Sequence, residues 1–285
     1  GLMSTHSGTP SRAQAGAARL IVCPTPIGNL EDVTLRVLAA LREADVVACE
    51  DTRRTRTLLD RYGVDAKLVS YHEHNEEARA AELVERMRGG ATVALVSDAG
   101  MPLVSDPGYV LVRACIGAGL PVEVLPGPSA AIAALVASGL AADHWRFEGF
   151  LPRKRGALER ELSAPGSTLV AFESPKRVAK TLAVLAELDP ERQVAVCREL
   201  TKLHEEIVRG GAGELAERYR EEELRGEVVL VIAPAAAVAD GPDDAALDAV
   251  RKLVDSGARP RAAAGVVAEL TGASANELYR ALTGD

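Results

Sequence analysis

Short apolar runs, each ended by a cluster of polar, Gly and Pro residues, recur through the first half of the chain. RLIVC (19–23) runs into PTPIGNL (24–30), DVVAC (45–49) into EDTRRTR (50–56), and KLVS (67–70) into YHEHN (71–75). TVALV (92–96) runs into SDAGMPLVSDPG (97–108), and VEVL (122–125) into PGPSA (126–130). Runs of this length bounded by turn residues predict buried strands. Between them the apolar residues fall at helical spacing, as at Leu35, Leu38 and Leu41. Helices are predicted from Thr34, from about residue 52 to a C-cap at Gly63, over 76–87, from Tyr109, and through the Ala-rich stretch to Ser138. Five strands alternating with helices over 19–140 predict a parallel sheet. Its polar loops then open on one edge, where open α/β sheets bind ligands.

The pattern resumes after a break at 140–144. Strands are predicted at 145–149, 167–172, 193–197, 205–209 and 227–232, with helices to about 163, to 188 and over 212–222. Residues 141–234 therefore read as a second α/β domain. An Ala/Asp/Pro linker covers 235–244, and 245–285 reads as a helical tail with a helix, Gly turn, helix pattern around Gly272. The basic residues Arg251, Lys252, Arg259 and Arg261 make that tail a candidate docking arm. Residues 1–18 are small and polar, lack an apolar signal core, and read as a disordered tail.

Composition narrows the picture. The 285 residues carry a net charge of -8, so this is no generally basic nucleic-acid binder, although local basic patches remain open. Aromatics make up only 3%, so the core is built from Leu, Val, Ile and Ala. The four cysteines, Cys23, Cys49, Cys115 and Cys197, form no C-x-x-C pair and read as buried thiols of a reducing cytosol. The five histidines make no ligand set, so no metal is expected. No apolar run approaches the roughly 20 residues of a membrane span.

The loop at 97–108 packs two Asp, two Gly, two Pro and two Ser between a strand and a helix, the chemistry of a ligand floor or of a tight capped turn. No dinucleotide or nucleoside-triphosphate fingerprint is present. Ser129 of PGPSA fits either a helix N-cap or a ligand-facing helix start. EDTRR sets carboxylates and guanidiniums at one strand end, as an acidic helix start or as a substrate platform. ESPKR (173–177) and RELTK (198–202) supply a matching charged rim or ordinary surface charge. Ser174 has no G-x-S-x-G context, which argues against a hydrolase triad.

Taken in order, PTPIGNLEDVTLR, EDTRRT, SDAGMPLVSDPG, PGPSA, FLPRKRG, FESPKR and RELTKLHEE resemble the bacterial 16S rRNA 2′-O-ribose methyltransferases. These form a branch of the tetrapyrrole-methylase, or class III, methyltransferases, and the resemblance spans about residues 19–234. It implies two α/β domains with S-adenosylmethionine in the cleft between them, plus a small helical C-terminal segment. On the matching motifs it implies cofactor contacts at Pro26, Gly28, Ser97, Asp98, Ala99, Gly100, Met101, Ser105, Asp106, Pro128, Ser129, Ala130, Phe172, Glu173 and Ser174. It implies ribose methylation of a cytidine of 16S rRNA in the small ribosomal subunit by a cytoplasmic homodimer, without metal. Arg53, Arg54, Arg153, Lys154, Lys176, Arg177 and Lys202 become candidates for holding RNA, and Glu50, Asp51 and Glu199 candidate bases. PTPIGN lacks the Gly-x-Gly form of the tetrapyrrole enzymes, which lowers the case for a corrin or porphyrin substrate. A tetrapyrrole C-methyltransferase and a non-catalytic cofactor-binding protein are the alternatives. For such a transfer, alignment can supply on the order of 10⁵–10⁸ M of effective molarity. A general base adds only about 10²–10⁴-fold, so binding contacts should outweigh any single base.

Overall fold

The computed structural model describes residues 18–236 and 244–284. Residues 1–17 of the expected tail and 237–243 of the expected linker lie outside the described residues. The chain divides between Pro234 and Ala235 into two compact units.

The first unit holds two five-stranded sheets. One comprises β1 (Leu20–Cys23), β2 (Val46–Cys49), β3 (Leu68–Ser70), β4 (Val93–Val96) and β5 (Val122–Val124), in the order β3-β2-β4-β1-β5. Every pairing in it is parallel. Strands β1, β2 and β4 are buried at every residue, which is why they are unbroken apolar runs rather than alternating ones. Helices α1 (Leu35–Glu43) and α2 (Thr52–Arg61) cover one face through Val37, Leu41, Leu58 and Leu59. Helices α3 (Glu76–Arg88) and α4 (Tyr109–Gly117) cover the other through Leu83, Met87, Leu111 and Cys115.

The second sheet comprises β6 (Trp145–Phe150), β7 (Thr168–Glu173), β8 (Gln193–Arg198), β9 (Glu206–Gly211) and β10 (Val228–Ile232), in the order β6-β7-β10-β8-β9. It is mixed: β6 and β7 run parallel, and the remaining pairs are antiparallel. The last strand of the unit, β10, lies at the centre and is fully buried. Helices α6 (Arg155–Ser163), α7 (Val178–Leu188) and α8 (Ala212–Tyr219) cover one face through Leu158, Leu162, Leu182, Leu185 and Leu215.

The opposite face is closed by α5 (Ala130–Ser138), which follows directly from the first sheet. Ala131, Ala134 and Leu135 share one apolar cluster with Val170, Ala195, Cys197, Val229 and Val231. Ile27, from the loop after β1, joins the same cluster. A helix with so many Ala side chains lets its backbone approach the sheet closely, and here it joins the two halves of the unit into one packed body.

The second unit contains α9 (Asp244–Asp255), α10 (Pro260–Thr271) and α11 (Ala275–Thr283). Their core is Ala246, Val250, Ala263, Ala264, Val267 and Leu278. The expected helix, Gly turn, helix is α10–α11: Gly272 takes the left-handed conformation, and Ser274 caps α11 by accepting from the Glu277 N–H. Of the four basic residues there, Lys252 pairs with Asp248 and the Arg261 guanidinium lies 5.0 Å from the Tyr279 ring centroid.

Candidate active site

All the polar strand-end loops of the parallel sheet except the one after β3 reach a single cleft of about 660 Å³. Ile27, Glu50, Asp98 and Ser129 line it from the loops after β1, β2, β4 and β5; Phe172, Cys197 and Val229 line it from the second sheet. Of the expected cofactor residues, Asp98, Ala99, Gly100, Met101, Ser105, Asp106, Ser129, Ala130, Phe172, Glu173 and Ser174 all line this cleft. Pro26 and Gly28 line a side recess of about 200 Å³, shared with Ile27, Arg54, Asp98, Ala99, Lys202 and Glu227. Ser97 and Pro128 are not among the residues that line the cleft; a Cβ on Gly100 would stand 3.5 Å from the Pro128 carbonyl oxygen. The Ser97 hydroxyl donates to the carbonyls of Ala99 (3.2 Å) and Gly100 (2.9 Å), which turns the chain back on itself. Thr25 and Gly100 exchange backbone hydrogen bonds of 3.0 and 2.9 Å, tying the first loop to the 97–108 loop. Leu103 and Ser105 both sit at positive φ, 73° and 60°, a conformation non-Gly residues adopt only where surrounding structure holds them.

Four carboxylates converge here. Asp51 caps α2, its Oδ1 accepting from the Arg53 N–H at 2.9 Å. That contact, with the nearby Arg53 charge, holds the Asp51 carboxyl below its ordinary value. The Asp51 N–H in turn donates to Asp98 Oδ1 at 3.0 Å. Burial, reinforced by Asp98, pushes the Glu50 carboxyl up. Asp106 moves furthest: burial first, then the charges of Glu50 and Asp98, raise it to about 6. A site this rich in negative charge suits a cationic ligand.

The second wall is organised by two hydrogen-bonded networks, the first of them buried. Glu173 is 3% exposed and accepts from the Thr181 hydroxyl (2.7 Å) and the Ser174 N–H (2.9 Å), with Arg177 Nε at 3.4 Å. Its carboxylate is fully engaged in holding the β7–α7 turn. Glu199 stands at φ 53°; its Oε1 accepts from the Glu227 N–H (2.8 Å) and its Oε2 meets Lys202 Nζ (2.7 Å). Burial acts to raise the Glu199 carboxyl, but the Lys202 and Glu227 hydrogen bonds outweigh it and hold it low. Gly226 at φ 86° makes this possible, because a Cβ there would stand 1.5 Å from Glu199 Oε1. Glu199 is thus a strut beside the cleft, not part of its lining.

The cations expected to hold RNA divide by position. Arg54 lines both the cleft and its recess. Arg53, Arg153, Lys154 and Lys176 are exposed around them, Arg53 with 92% of its side chain accessible. Arg177 is half-buried and donates to the Pro152 carbonyl at 3.1 Å. Lys202 bridges Glu199 and Glu227, and its stem passes so close to Gly28 that a Cβ there would stand 2.6 Å from Lys202 Cγ.

Several lining residues carried no signal on their own. Ile27, Val104, Phe150 and Leu200 line the cleft as apolar residues in loops or at a strand end, and the 226–229 backbone enters through the central position of β10. Ile27 and Val104 come from the loops after β1 and β4, whereas Phe150, Leu200 and residues 226–229 reach the cleft through the second sheet.

This architecture is that of the tetrapyrrole methylases, the class of methyltransferase in which two α/β halves share a cleft. Residues 19–216 match the family described as "Tetrapyrrole (Corrin/Porphyrin) Methylases". A uroporphyrin-III-C-methyltransferase structure from Thermus thermophilus superposes with a TM-score of 0.53 at 26% identity, covering 75% of this chain and 94% of that one. Closer in sequence is the ribosomal RNA small subunit methyltransferase I of Mesorhizobium japonicum, 46% identical over 96% of this chain and 93% of its own. The protein of the same name from Escherichia coli O157:H7 is 42% identical over 94% of this chain and 96% of its own. The chain belongs to the ribosomal RNA small subunit methyltransferase I family, within the tetrapyrrole methylases.

Proposed function

We propose that this chain binds S-adenosylmethionine in the cleft and methylates the ribose 2′-hydroxyl of a cytidine of 16S rRNA in the small ribosomal subunit. The observation that carries this reading is the 46% identity, over 96% of the chain, with a ribosomal RNA small subunit methyltransferase I. The site supports it. Small residues at Ala99, Gly100, Ala130 and Ala131 leave room for a ligand beside backbone groups, and the volume falls in the usual range of cofactor sites. When bound, S-adenosylmethionine supplies a methyl group on a cationic sulfonium, which the carboxylates of Asp98, Asp106 and Glu50 complement. The exposed cations Arg53, Arg153, Lys154 and Lys176, with Arg54 at the wall, give an otherwise acidic protein a local face for phosphates.

Among the three candidate bases, Glu50 fits the task best. It lines the cleft and burial makes it more basic, whereas Asp51 is held low by its cap and Glu199 is occupied by Lys202 and Glu227. Glu50 would take the proton that the 2′-hydroxyl sheds as the ribose oxygen bonds to the methyl carbon, while the sulfur–methyl bond breaks and its electron pair leaves on sulfur as a neutral thioether. The homodimer and the cytoplasmic setting belong to the same proposal. Exposed Val124 on edge strand β5 and Ile132 and Val136 on α5 are apolar surface that a second copy would cover.

The test is methyl transfer from labelled S-adenosylmethionine to assembled small subunits and to naked 16S rRNA, with the product mapped. Label on a cytidine ribose is the expected result. No incorporation into either RNA form, or uptake by a tetrapyrrole acceptor instead, would overturn the proposal.

A further inference from the structure

The chain has only three Phe in 285 residues, and all three stand together, Phe150 and Phe172 lining the cleft and Phe147 packed beside them. Phe147 and Phe172 meet edge to face with centroids 5.1 Å apart, and Phe150 meets Phe172 on the same pattern at 5.7 Å. Phe147 and Phe150 lie three residues apart on one strand, so in a regular strand they would point to opposite faces. The β6–β7 register breaks between them: Phe147 pairs with Val170 but Phe150 pairs with Phe172. Gly149, at φ 60°, lies inside this bulge. One extra residue reverses the alternation and brings both rings against Phe172.

The three rings do not share one environment. Phe147 and Phe172 pack against the apolar cluster beneath α5, whereas Phe150 is 67% exposed while still lining the cleft. Burying a Phe is worth about 1.5–3 kcal/mol, so a ring held in water by its backbone is a ring kept for something. Phe172 behind it restrains its position, and the Leu151 N–H donates to the Phe172 carbonyl at 3.3 Å just beyond it. The next exposed side chains are Arg153 and Lys154. An exposed, braced aromatic face beside cations is the arrangement that binds unpaired nucleic acid, the ring taking a base and the cations the backbone.

We infer that Phe150 is a stacking platform for an unpaired nucleobase of the RNA substrate, with Arg153 and Lys154 holding the adjoining phosphates. The inference rests on the RNA methyltransferase reading and deepens it by assigning how the substrate strand is seated. Gly100 and Ala131 wall the cleft as buried residues, whereas Phe150 stands 67% exposed beside them, which assigns the ring to the strand rather than to the cofactor.

The experiment compares the full-length wild type with Phe150→Ala, Phe150→Leu and Phe150→Trp. It measures the KM for small subunits in methyl transfer, and the Kd for S-adenosylmethionine by calorimetry. Stacking on one base corresponds to about a 5- to 140-fold effect. Ala and Leu should raise the RNA KM within that range, Trp should retain wild-type values, and the cofactor Kd should stay within about twofold. Leu performing as well as Phe would reduce the ring to apolar packing and overturn the inference. So would a cofactor Kd that weakens in step with the RNA KM, since the ring would then seat the adenine. A wild type that methylates no RNA removes the substrate reading, and the inference with it; a wild type active on RNA with all four proteins alike removes the inference alone.

Discussion

The backbone N–H of Asp51 donates to Oδ1 of Asp98 across 3.0 Å. Asp51 opens α2 and Asp98 follows β4, so the contact joins two adjacent strand-end loops and fixes the floor of the cleft. Replacing Asp98 by Ala removes a charge-assisted acceptor worth about 1.5–3 kcal/mol. S-adenosylmethionine should then bind about 10- to 100-fold more weakly by calorimetry, and Asn, which keeps an acceptor oxygen, should lose less. An Ala variant that binds normally yet turns over slowly would shift Asp98 from holding the loop to the chemistry.

Asp106 makes the site sensitive to pH. Its carboxyl rises from an ordinary 3.8 to about 6, with burial the largest cause. Between those values the folded chain keeps a proton that the unfolded chain has shed, so its contribution to stability declines as pH rises through that window and stays lower above it. Asp106→Asn removes this penalty. Its melting temperature should exceed that of the wild type at pH 8, and the gap should close as pH falls to 4. Cofactor binding by the wild type should weaken as pH drops through about 6, because a protonated Asp106 no longer complements a cation. A flat binding profile between pH 5 and 8 would contradict the assignment.

Glu50 and Glu199 should part company on substitution. Glu50→Gln is expected to lower kcat by about 10²–10⁴-fold, the usual worth of a general base, with little change in melting temperature. Glu199→Gln breaks its pairing with Lys202 and should lower stability while sparing kcat in the protein that remains folded. Steady-state kinetics beside thermal melts separates the two, and the reverse pattern would exchange their roles.

Behind the cleft, Glu76 of α3 caps α4 from outside. Its Oε1 accepts from the Gly108 N–H (3.0 Å), the Val110 N–H (3.4 Å) and the Tyr71 hydroxyl (3.1 Å). The Tyr71 oxygen accepts from the Leu111 N–H at 3.2 Å. Gly108 offers no side chain to do this itself. Glu76→Ala should cost about 1–3 kcal/mol in urea unfolding, and Tyr71→Phe a similar amount through the orphaned Leu111 N–H. Stability within a few tenths of a kcal/mol of wild type in both would show that water replaces the pair.

Local pattern carried much of the fold. The runs at 20–23, 46–49 and 93–96 are apolar throughout because both faces of the parallel sheet are covered, and the loops they feed are where the cleft lies. What local pattern lacked was partnership. Nothing in VVLVI says that the last strand of the unit inserts between β7 and β8, because that order depends on distant pairings. Glu199 reads as a free rim carboxylate until Gly226 and Lys202 are placed beside it. Phe150 reads as one more apolar residue, since a bulge that redirects a side chain has no sequence period of its own. Asp106, by contrast, lies in a loop whose composition already marked it as a candidate, but its raised affinity for protons comes first from burial and then from Glu50, distant in sequence, and the nearer Asp98.

The apolar face of α5 has a consequence for synthesis. The helix leaves the ribosome with the parallel sheet, yet the strands that cover Ala131, Ala134 and Leu135 include β10, which is made last in the unit. Until then a nascent chain carries the parallel sheet with the apolar face of α5 uncovered, a state prone to mispairing. Completion of the first unit therefore waits on β10: the strand that covers α5 also supplies Val228 and Val229 to the wall of the cleft, so both are finished together.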